Sequence, residues 1–207
     1  MQEHAEILKR LAEHYPEAKP ELWFRNAFEL LIATMLSAQT TDKQVNAATG
    51  ELFRRCPDAA AMAAADIETL EALVKSCGFY HTKARNIKAA SAQLLEQYGG
   101  QVPRTMEELT ALPGVGRKTA NVVMSNAFGI PAIAVDTHVH RVSNRLGLAN
   151  AKDVLETEKQ LMRNIPEEQW SIAHHWLIYH GRRVCAAQRP KCETCFLNDL
   201  CPWGRKK

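Results

Sequence analysis

No run of about 18 or more apolar residues occurs in the 207-residue sequence, which excludes a membrane-spanning helix. No segment alternates apolar and polar residues in the way that a half-buried β-strand would. The N-terminal segment MQEHAEILKR lacks the apolar stretch of a secretory signal, so we expect an intracellular protein. Low-complexity segments and solenoid repeats are also missing, and the composition, with 46% hydrophobic and 24% charged residues, is that of a globular protein.

Apolar residues recur at helical spacing along most of the chain, which predicts an all-α protein with roughly ten or eleven helices and short connections. Residues 22–37 are apolar on nearly all sides, as in a central buried helix. Asp42 is expected to cap a helix that runs to about Arg55. A further helix is expected over 117–128, because Gly129 is a typical residue at the end of a helix.

The positive charge of the chain is concentrated near its C-terminal end. From Arg182 to Lys207 there are seven basic and two acidic residues, so this segment carries +5 although the whole chain carries only +3. A basic segment of this kind is either a solvated surface or a phosphate-binding patch. Composition leaves both interpretations open.

Four of the six cysteines lie within 17 residues, spaced Cys-x6-Cys-x2-Cys-x5-Cys. They are Cys185, Cys192, Cys195 and Cys201. In an intracellular chain such a cluster favours metal binding over disulfides. Only one close pair is present, so a structural zinc ion and a cubic iron–sulfur cluster both remain as interpretations. Arg189 and Lys191 lie inside the first loop, where a bound metal would fix their positions.

The segment 112–119, LPGVGRKT, joins two predicted helices. Gly114 and Gly116 permit a close approach of the backbone to a ligand, and the N–H groups that begin the second helix favour an anion. Such a turn can hold a DNA phosphate without reading sequence. A P-loop is excluded because Arg117 separates Gly116 from Lys118, and a Rossmann turn is excluded because a helix precedes it. A plain structural turn remains the alternative.

Two residues at predicted helix starts have side chains suited to catalysis. Lys118 is expected in a first helical turn, where the helix dipole lowers the pKa of an amine and burial, if present, would lower it further. A lysine with a lowered pKa is a nucleophile for Schiff-base chemistry. The alternative is an ordinary exposed lysine. Asp136 is a favoured N-cap residue for a helix that runs to about Leu146, and a capping carboxylate can also stabilise positive charge at a reacting centre.

These segments together resemble the endonuclease III family of DNA glycosylases. LPGVGRKTANVV looks like the helix-hairpin-helix element of the family, and VDTHVHRVSNRLG looks like the segment with its catalytic aspartate. HHWLIYHGRRVC with the four cysteines looks like its [4Fe–4S] segment. LSAQTTD (36–42) and GFYHTKARNI (78–87) resemble two further family stretches. The resemblance covers nearly the whole chain.

The resemblance implies a two-domain, all-α fold. A six-helix barrel with the helix-hairpin-helix would span 20–131, and a discontinuous helical domain, 1–19 with 132–207, would carry the [4Fe–4S] cluster. The implied activity is that of a DNA glycosylase and AP lyase in base excision repair. Such an enzyme removes oxidised pyrimidines, for example thymine glycol, from double-stranded DNA and nicks the strand 3′ to the abasic site by β-elimination. We expect a monomer without membrane attachment, in the cytoplasm and associated with the nucleoid.

Carried over by position, the resemblance makes Lys118 the nucleophile that attacks C1′ of an extruded nucleotide. Asp136 would stabilise the developing sugar cation and assist proton transfer. Gln39 would fill the vacated space in the duplex. Phe79 occupies the place of a bulky apolar wedge that is usually aliphatic in the family, so an aromatic stack is an alternative contact. The remaining expected DNA contacts are Gly114, Gly116, Arg189 and Lys191.

Three other functions fit parts of the sequence. An adenine-mismatch glycosylase of the same superfamily resembles the chain in its hairpin, aspartate and cluster. That enzyme typically has serine at the position of Lys118 and a further C-terminal domain, so the lysine favours endonuclease III. A thymine-mismatch glycosylase is disfavoured by the same lysine. In a non-enzymatic DNA-binding module with structural zinc, Lys118 would be a phosphate contact and Asp136 a helix cap.

Overall fold

The computed structural model describes residues 2–206, with Lys206 described by its backbone alone. Within these residues the chain forms eleven α-helices and two short 3₁₀ segments and no β-strand, which confirms the all-α prediction. The helices are α1 (Gln2–His14), α2 (Ala27–Leu36), α3 (Asp42–Arg55), α4 (Ala59–Ala64), α5 (Ile67–Val74), α6 (Tyr80–Tyr98), α7 (Met106–Thr110), α8 (Arg117–Phe128), α9 (Thr137–Leu146), α10 (Val154–Asn164) and α11 (Trp170–Arg183). The 3₁₀ segments are Glu167–Gln169 and Gly204–Lys206.

The chain divides into two compact units. The discontinuous unit comprises the chain up to Lys19 together with the chain from Ile130 onward, and the continuous unit is Pro20–Gly129. Among the described residues, no helix is long and apolar enough to cross a membrane.

Helix α2 packs against α3, α6 and α8 in the continuous unit. All of its residues after Ala27 are buried, so the predicted buried helix is present. It begins at Ala27, however, and not at residue 22. Asn26 has an extended backbone (φ −153°), and its side-chain oxygen accepts a hydrogen bond from the backbone N–H of Glu29 at 2.9 Å. The expected helix over 22–37 was too long because an unbroken apolar stretch does not reveal which residue is the N-cap.

Helix α3 spans the expected residues, but its N-cap is Thr41 and not Asp42. Oγ1 of Thr41 accepts a hydrogen bond from the backbone N–H of Gln44, and Oε1 of Gln44 accepts one from the backbone N–H of Thr41, both at 3.3 Å. This reciprocal capping box makes Asp42 the first helical residue. Its carboxylate then lies in the first turn, where negative charge is favourable.

The core of the discontinuous unit joins the two ends of the chain. Ile7, Leu8 and Leu11 form the apolar face of α1, and they are buried in one cluster with Leu177 of α11. Helix α11 also packs against α9, which in turn packs against α10. The C-terminal helices therefore supply the surface on which α1 buries its apolar face.

Candidate active site and metal site

The hairpin loop between α7 and α8 requires glycine at position 114. Gly114 has a left-handed backbone (φ +75°), and a Cβ atom added there would lie 2.7 Å from Nδ2 of Asn86. Gly116 has an extended backbone, and among the described residues no atom beyond its own neighbours lies within 4 Å of the place its Cβ would take. The loop therefore packs tightly at Gly114 and leaves the backbone at Gly116 open to close approach.

Lys118 lies in the first turn of α8 and is half-buried. The helix begins at Arg117, as the sequence predicts, with Gly116 as its N-cap. Because glycine has no side chain, the N-cap provides no side-chain oxygen for the first N–H groups of the helix. The N-terminus of α8, which is the positive end of the helix dipole, is therefore preceded by the backbone of Gly116 and has Lys118 in its first turn.

Asp136 is the N-cap of α9, as predicted, and belongs to the discontinuous unit. Its Oδ1 accepts a hydrogen bond from the backbone N–H of Val139 at 2.8 Å, which fixes the orientation of the half-buried carboxylate. The preceding segment 132–135 is buried. Its backbone is held by His174 of α11, whose Nδ1 donates to the carbonyl of Ala134 at 2.7 Å. The histidine and the capping geometry together hold this carboxylate in one place.

Gln39 and Phe79 lie on two loops that the structure brings side by side. Both have a left-handed backbone, with φ of 53° and 58°, and both side chains are exposed, Phe79 by 69%. The loops are joined where the backbone N–H of Gly78 donates to Oγ1 of Thr40 at 3.2 Å. A left-handed backbone is unfavourable for residues with a Cβ, so tertiary contacts must hold it.

The four cysteines of the C-terminal segment line one small cavity of about 20 Å³. Cys185 and Cys201 are buried, and Cys192 and Cys195 are half-buried. Among the described residues, no three His, Cys, Asp or Glu side chains converge on a single-ion site. Four thiols that line a common cavity are a donor set that fits a cubic iron–sulfur cluster.

N–H groups donate to two of these sulfur atoms, and a histidine nitrogen lies near a third. Sγ of Cys185 accepts from Nη1 of Arg145 at 3.4 Å, and Sγ of Cys201 accepts from the backbone N–H of Gly204 at 3.4 Å. Nε2 of His180 lies 3.7 Å from Sγ of Cys195. Burial raises the pKa of the Cys195 thiol. The N–H groups of Arg145 and Gly204 fit the sulfur ligands of a cluster.

Helix α9, which begins after Asp136, is bound to the cysteine segment further along its length. Arg141 donates to the carbonyl of Cys185 through Nε at 3.2 Å and Nη2 at 3.1 Å. Arg145 donates to the carbonyls of Ala186 at 2.7 Å and Ala187 at 3.0 Å. Sequence patterns did not reveal these contacts, because the carbonyl partners of an arginine depend on the fold.

The basic residues near the C-terminal end are not equally available. Arg189 is exposed and has a left-handed backbone (φ 50°), and Lys191 is exposed. Arg183, by contrast, forms an ion pair with Glu17 at 2.7 Å, and its guanidinium lies 4.2 Å from the ring centre of Tyr179. Arg189 and Lys191 are therefore better placed to meet an external anion than Arg183.

Family models match both the part of the chain with the proposed catalytic residues and the segment with the four cysteines. The family model described as HhH-GPD superfamily base excision DNA repair protein matches residues 32–167, which include the hairpin loop, Lys118 and Asp136. The model described as the iron-sulfur binding domain of endonuclease III matches residues 185–201, which hold the four cysteines. The predicted [4Fe–4S] cluster is thereby confirmed, and the zinc alternative is wrong.

Individual relatives match over almost their full length. Endonuclease III of Bacillus subtilis (strain 168) is 52% identical over 201 residues, which are 97% of this chain and 92% of the relative. Endonuclease III of Escherichia coli (strain K12) is 48% identical over 97% of this chain and 95% of its own length. The solved structure of a trapped endonuclease III–DNA covalent intermediate superposes with a TM-score of 0.94 at 52% identity, covering 99% of this chain and 97% of that one.

Proposed function

The chain belongs to the endonuclease III family of the HhH-GPD superfamily, and we propose that Lys118 and Asp136 perform its chemistry on oxidised pyrimidines in double-stranded DNA. As a member of this family it is a DNA glycosylase and AP lyase of base excision repair. Identities of 48 and 52% to endonuclease III favour this activity over mismatch glycosylases and over a non-enzymatic DNA-binding module.

Lys118 is the proposed nucleophile. Its neutral amine attacks C1′ of the extruded nucleotide, the bond between C1′ and the base breaks, and the base leaves with the bonding electrons and takes up a proton. Loss of a proton from the nitrogen and opening of the sugar ring give an imine between Lys118 and C1′. A proton then leaves C2′, the C3′–O3′ bond breaks, and the strand is nicked on its 3′ side. The capture of an endonuclease III as a covalent intermediate with DNA supports such a step.

Asp136 is the proposed electrostatic partner of this reaction. Positive charge develops on the sugar as the base departs, and a carboxylate held in a fixed position stabilises that charge without having to reorganise. The hydrogen bond from Val139 and the buried segment before Asp136 hold the carboxylate in this way. Capping and catalysis are compatible because a carboxylate has two oxygens with several lone pairs.

The hairpin loop is the proposed phosphate site. The open backbone at Gly116 and the N-terminal N–H groups of α8 favour an anion, and the absence of a side chain there removes any steric obstacle to a DNA phosphate. A contact of this kind provides affinity and register without reading base sequence. Gly114 supports it by shaping the turn, since its left-handed backbone and its contact with Asn86 admit no larger residue.

Gln39 and Phe79 are the proposed residues that fill the space left by the extruded nucleotide. Nucleotide extrusion costs a few kcal/mol of stacking and pairing, which inserted side chains recover in part. Among the described residues, those with a left-handed backbone other than glycines are Gln39, Phe79 and Arg189. All three are proposed DNA contacts, in keeping with the tendency of backbone strain to occur at functional sites.

The cluster has a proposed structural role. When bound, it supplies metal–sulfur bonds that tie the four cysteines together. The segment 185–201 contains few apolar residues, so these bonds and the arginines of α9 order it. Arg189 and Lys191, carried by this segment, are proposed to contact the DNA backbone.

We further propose that the continuous unit contains the barrel domain of the family, and that the discontinuous unit is its cluster-bearing domain. The enzyme is proposed to act as a monomer inside the cell, associated with the nucleoid, because its substrate is chromosomal DNA.

The position of Lys118 in the first turn of the hairpin helix is the observation that carries the proposed mechanism. Borohydride reduces the imine and links the enzyme covalently to DNA, so trapping on a duplex with one thymine glycol tests it directly. Wild-type protein should be trapped and Lys118→Gln should not, while Lys118→Gln keeps its helical fold and most of its affinity for DNA. Trapping of Lys118→Gln at the wild-type yield would refute the assignment, and a panel of oxidised and mismatched bases would identify the preferred lesion.

A further inference from the structure

Lys83 is a buried lysine whose ammonium group is fully occupied by hydrogen bonds. The residue is only 7% exposed. Its Nζ donates to the backbone carbonyls of Leu36 at 2.8 Å and Ala38 at 2.6 Å, and to Oγ1 of Thr40 at 2.8 Å. An ammonium has three donors and no acceptor, so these three bonds use its whole capacity. Burial lowers the pKa of Lys83, and the three acceptors offset part of the cost of burying its charge.

The hydroxyl of Thr40 links this ammonium to a second loop. Its Oγ1 accepts from Nζ of Lys83 and also from the backbone N–H of Gly78 at 3.2 Å, which occupies both of its lone pairs. The two loops lie close enough that a Cβ atom on Gly78 would be 3.4 Å from the carbonyl oxygen of Gln39. Lys83 and Thr40 therefore fasten the segment 37–41 to the residue that precedes Phe79.

Gln39 and Phe79 stand within this fastened pair of loops, each with a left-handed backbone. Such a conformation is strained for a residue with a Cβ and persists only where surrounding contacts enforce it. The ammonium of Lys83 binds the carbonyl of Ala38, directly before Gln39, and the hydroxyl of Thr40, directly after it. Its hydrogen bonds thus fix the chain on both sides of Gln39.

We propose that Lys83 is a positioning residue that holds Gln39 and Phe79 side by side, ready to fill the gap left by an extruded nucleotide. The inference rests on the proposed function of those two side chains. Lys83 is buried and acts through the two loops, without touching DNA. Without its ammonium, the carbonyls of Leu36 and Ala38 lose their donor, and the loops relax toward ordinary backbone conformations.

Lys88 provides a matched control for the loss of a lysine that only stabilises the fold. Lys88 lies on the same helix, α6, and its Nζ donates to the backbone carbonyls of Ala63, at 2.7 Å, and Ala65. Like Lys83, it thus binds backbone carbonyls through its ammonium group, but at the C-terminal end of α4 and away from the two loops. Lys88→Met removes a lysine that binds backbone carbonyls, without disturbing Gln39 or Phe79.

The experiment compares Lys83→Met, Lys88→Met and wild type on thymine glycol in a fully paired duplex and in an unpaired bubble. Methionine keeps most of the apolar stem and removes the charge. In the bubble the lesion is already unstacked, so no gap has to be filled. We expect Lys83→Met to slow single-turnover borohydride trapping on the duplex by about tenfold or more and to leave the bubble rate within about twofold of wild type. Lys88→Met should leave both rates unchanged.

Equal slowing of Lys83→Met on duplex and bubble, or no slowing on the duplex, would overturn the inference. If Lys83→Met does not fold, Thr40→Val and Thr40→Ser give the same test. Thr40→Val removes the bridging hydroxyl and should slow trapping on the duplex but not on the bubble. Thr40→Ser keeps the hydroxyl and should react with the duplex at the wild-type rate. Equal duplex rates for the two variants would overturn the inference. Wild-type protein that traps neither substrate would instead refute the proposed function itself.

Discussion

The imidazole rings of His174 and His175, consecutive residues of α11, lie edge to face with their centroids 4.8 Å apart. Both residues are buried, and His174 donates to the carbonyl of Ala134 through Nδ1. Burial, and to a smaller extent the neighbouring His174, lowers the pKa of His175 to about 3. His175 is therefore neutral in the folded protein across the physiological range, although histidine in an unfolded chain becomes charged in mild acid.

The stability of the protein should consequently fall in mild acid. An unfolded chain protonates His175 below pH 6.5, whereas the folded chain does not until about pH 3, so stability present above pH 6.5 is lost as the pH falls toward 3. At about pH 5.5 the loss from this residue is about 1.4 kcal/mol relative to about pH 8. Urea unfolding at the two pH values should show a smaller difference for His175→Phe than for wild type. The same difference in both proteins would contradict a depressed pKa.

Asp136→Asn separates the capping role of this residue from its proposed catalytic role. Asparagine keeps a capping oxygen, so the stability should fall by less than about 1 kcal/mol. The charge is removed, so single-turnover base release should slow by about 100-fold or more. Asp153→Asn is the matched control, because Asp153 caps α10 with the same geometry, accepting from the backbone N–H of Glu156 at 2.8 Å. Both variants should lose a similar amount of stability, and only Asp136→Asn should release the base slowly. A normal rate of base release in Asp136→Asn would show that Asp136 serves only as a helix cap.

Lys191→Ala should weaken binding to lesion-containing and undamaged duplex alike, because a phosphate contact does not distinguish them. The slope of log K against log salt should flatten by about 0.9, since the protein neutralises one phosphate fewer. Arg189→Ala should behave in the same way. Lys159→Ala removes an exposed lysine of α10 and serves as the control with an unchanged slope. If the salt dependence of DNA binding by Lys191→Ala also keeps the wild-type slope while the cluster is intact, the basic residues of this segment are solvated and do not contact phosphates.

Cys192→Ser should have a larger effect than either of these substitutions. Removal of one sulfur ligand weakens the bonds that order residues 185–201, so iron content and visible absorption should fall and affinity for both kinds of duplex should drop further than in Lys191→Ala. Cys56→Ala is the control, since Cys56 is a buried thiol of the continuous unit and should leave the iron content unchanged. Full iron content in Cys192→Ser would show that this cysteine is not a ligand.

The helices that carry the proposed catalytic residues could be predicted from sequence because strong local signals mark their ends. Gly116 and Gly129 flank α8, and Asp136 and Gly147 flank α9, so each helix has a residue type typical of its position at both ends. The start of α2 could not be predicted in the same way. There the apolar pattern continues before Ala27, and only the backbone of Asn26 decides where the helix begins.

The contacts that support the candidate site could not be predicted. Lys83 stands within the family-like stretch GFYHTKARNI, yet its sequence position gives no sign that it reaches the carbonyls of Leu36 and Ala38. The same holds for Arg141 and the carbonyl of Cys185. Local patterns specify helices and turns, whereas these bonds join residues more than 40 positions apart and exist only once the helices have packed.

The discontinuous unit has a consequence for how the protein matures on the ribosome. Helix α1 is synthesised before the continuous unit, but α11, against which α1 packs, is translated only after the whole continuous unit. Domains generally fold as they are completed during synthesis. The Pro20–Gly129 segment can therefore fold while the apolar side chains of Ile7, Leu8 and Leu11 are still exposed to solvent. Cluster assembly must come later still, because Cys201 follows α11 in the chain.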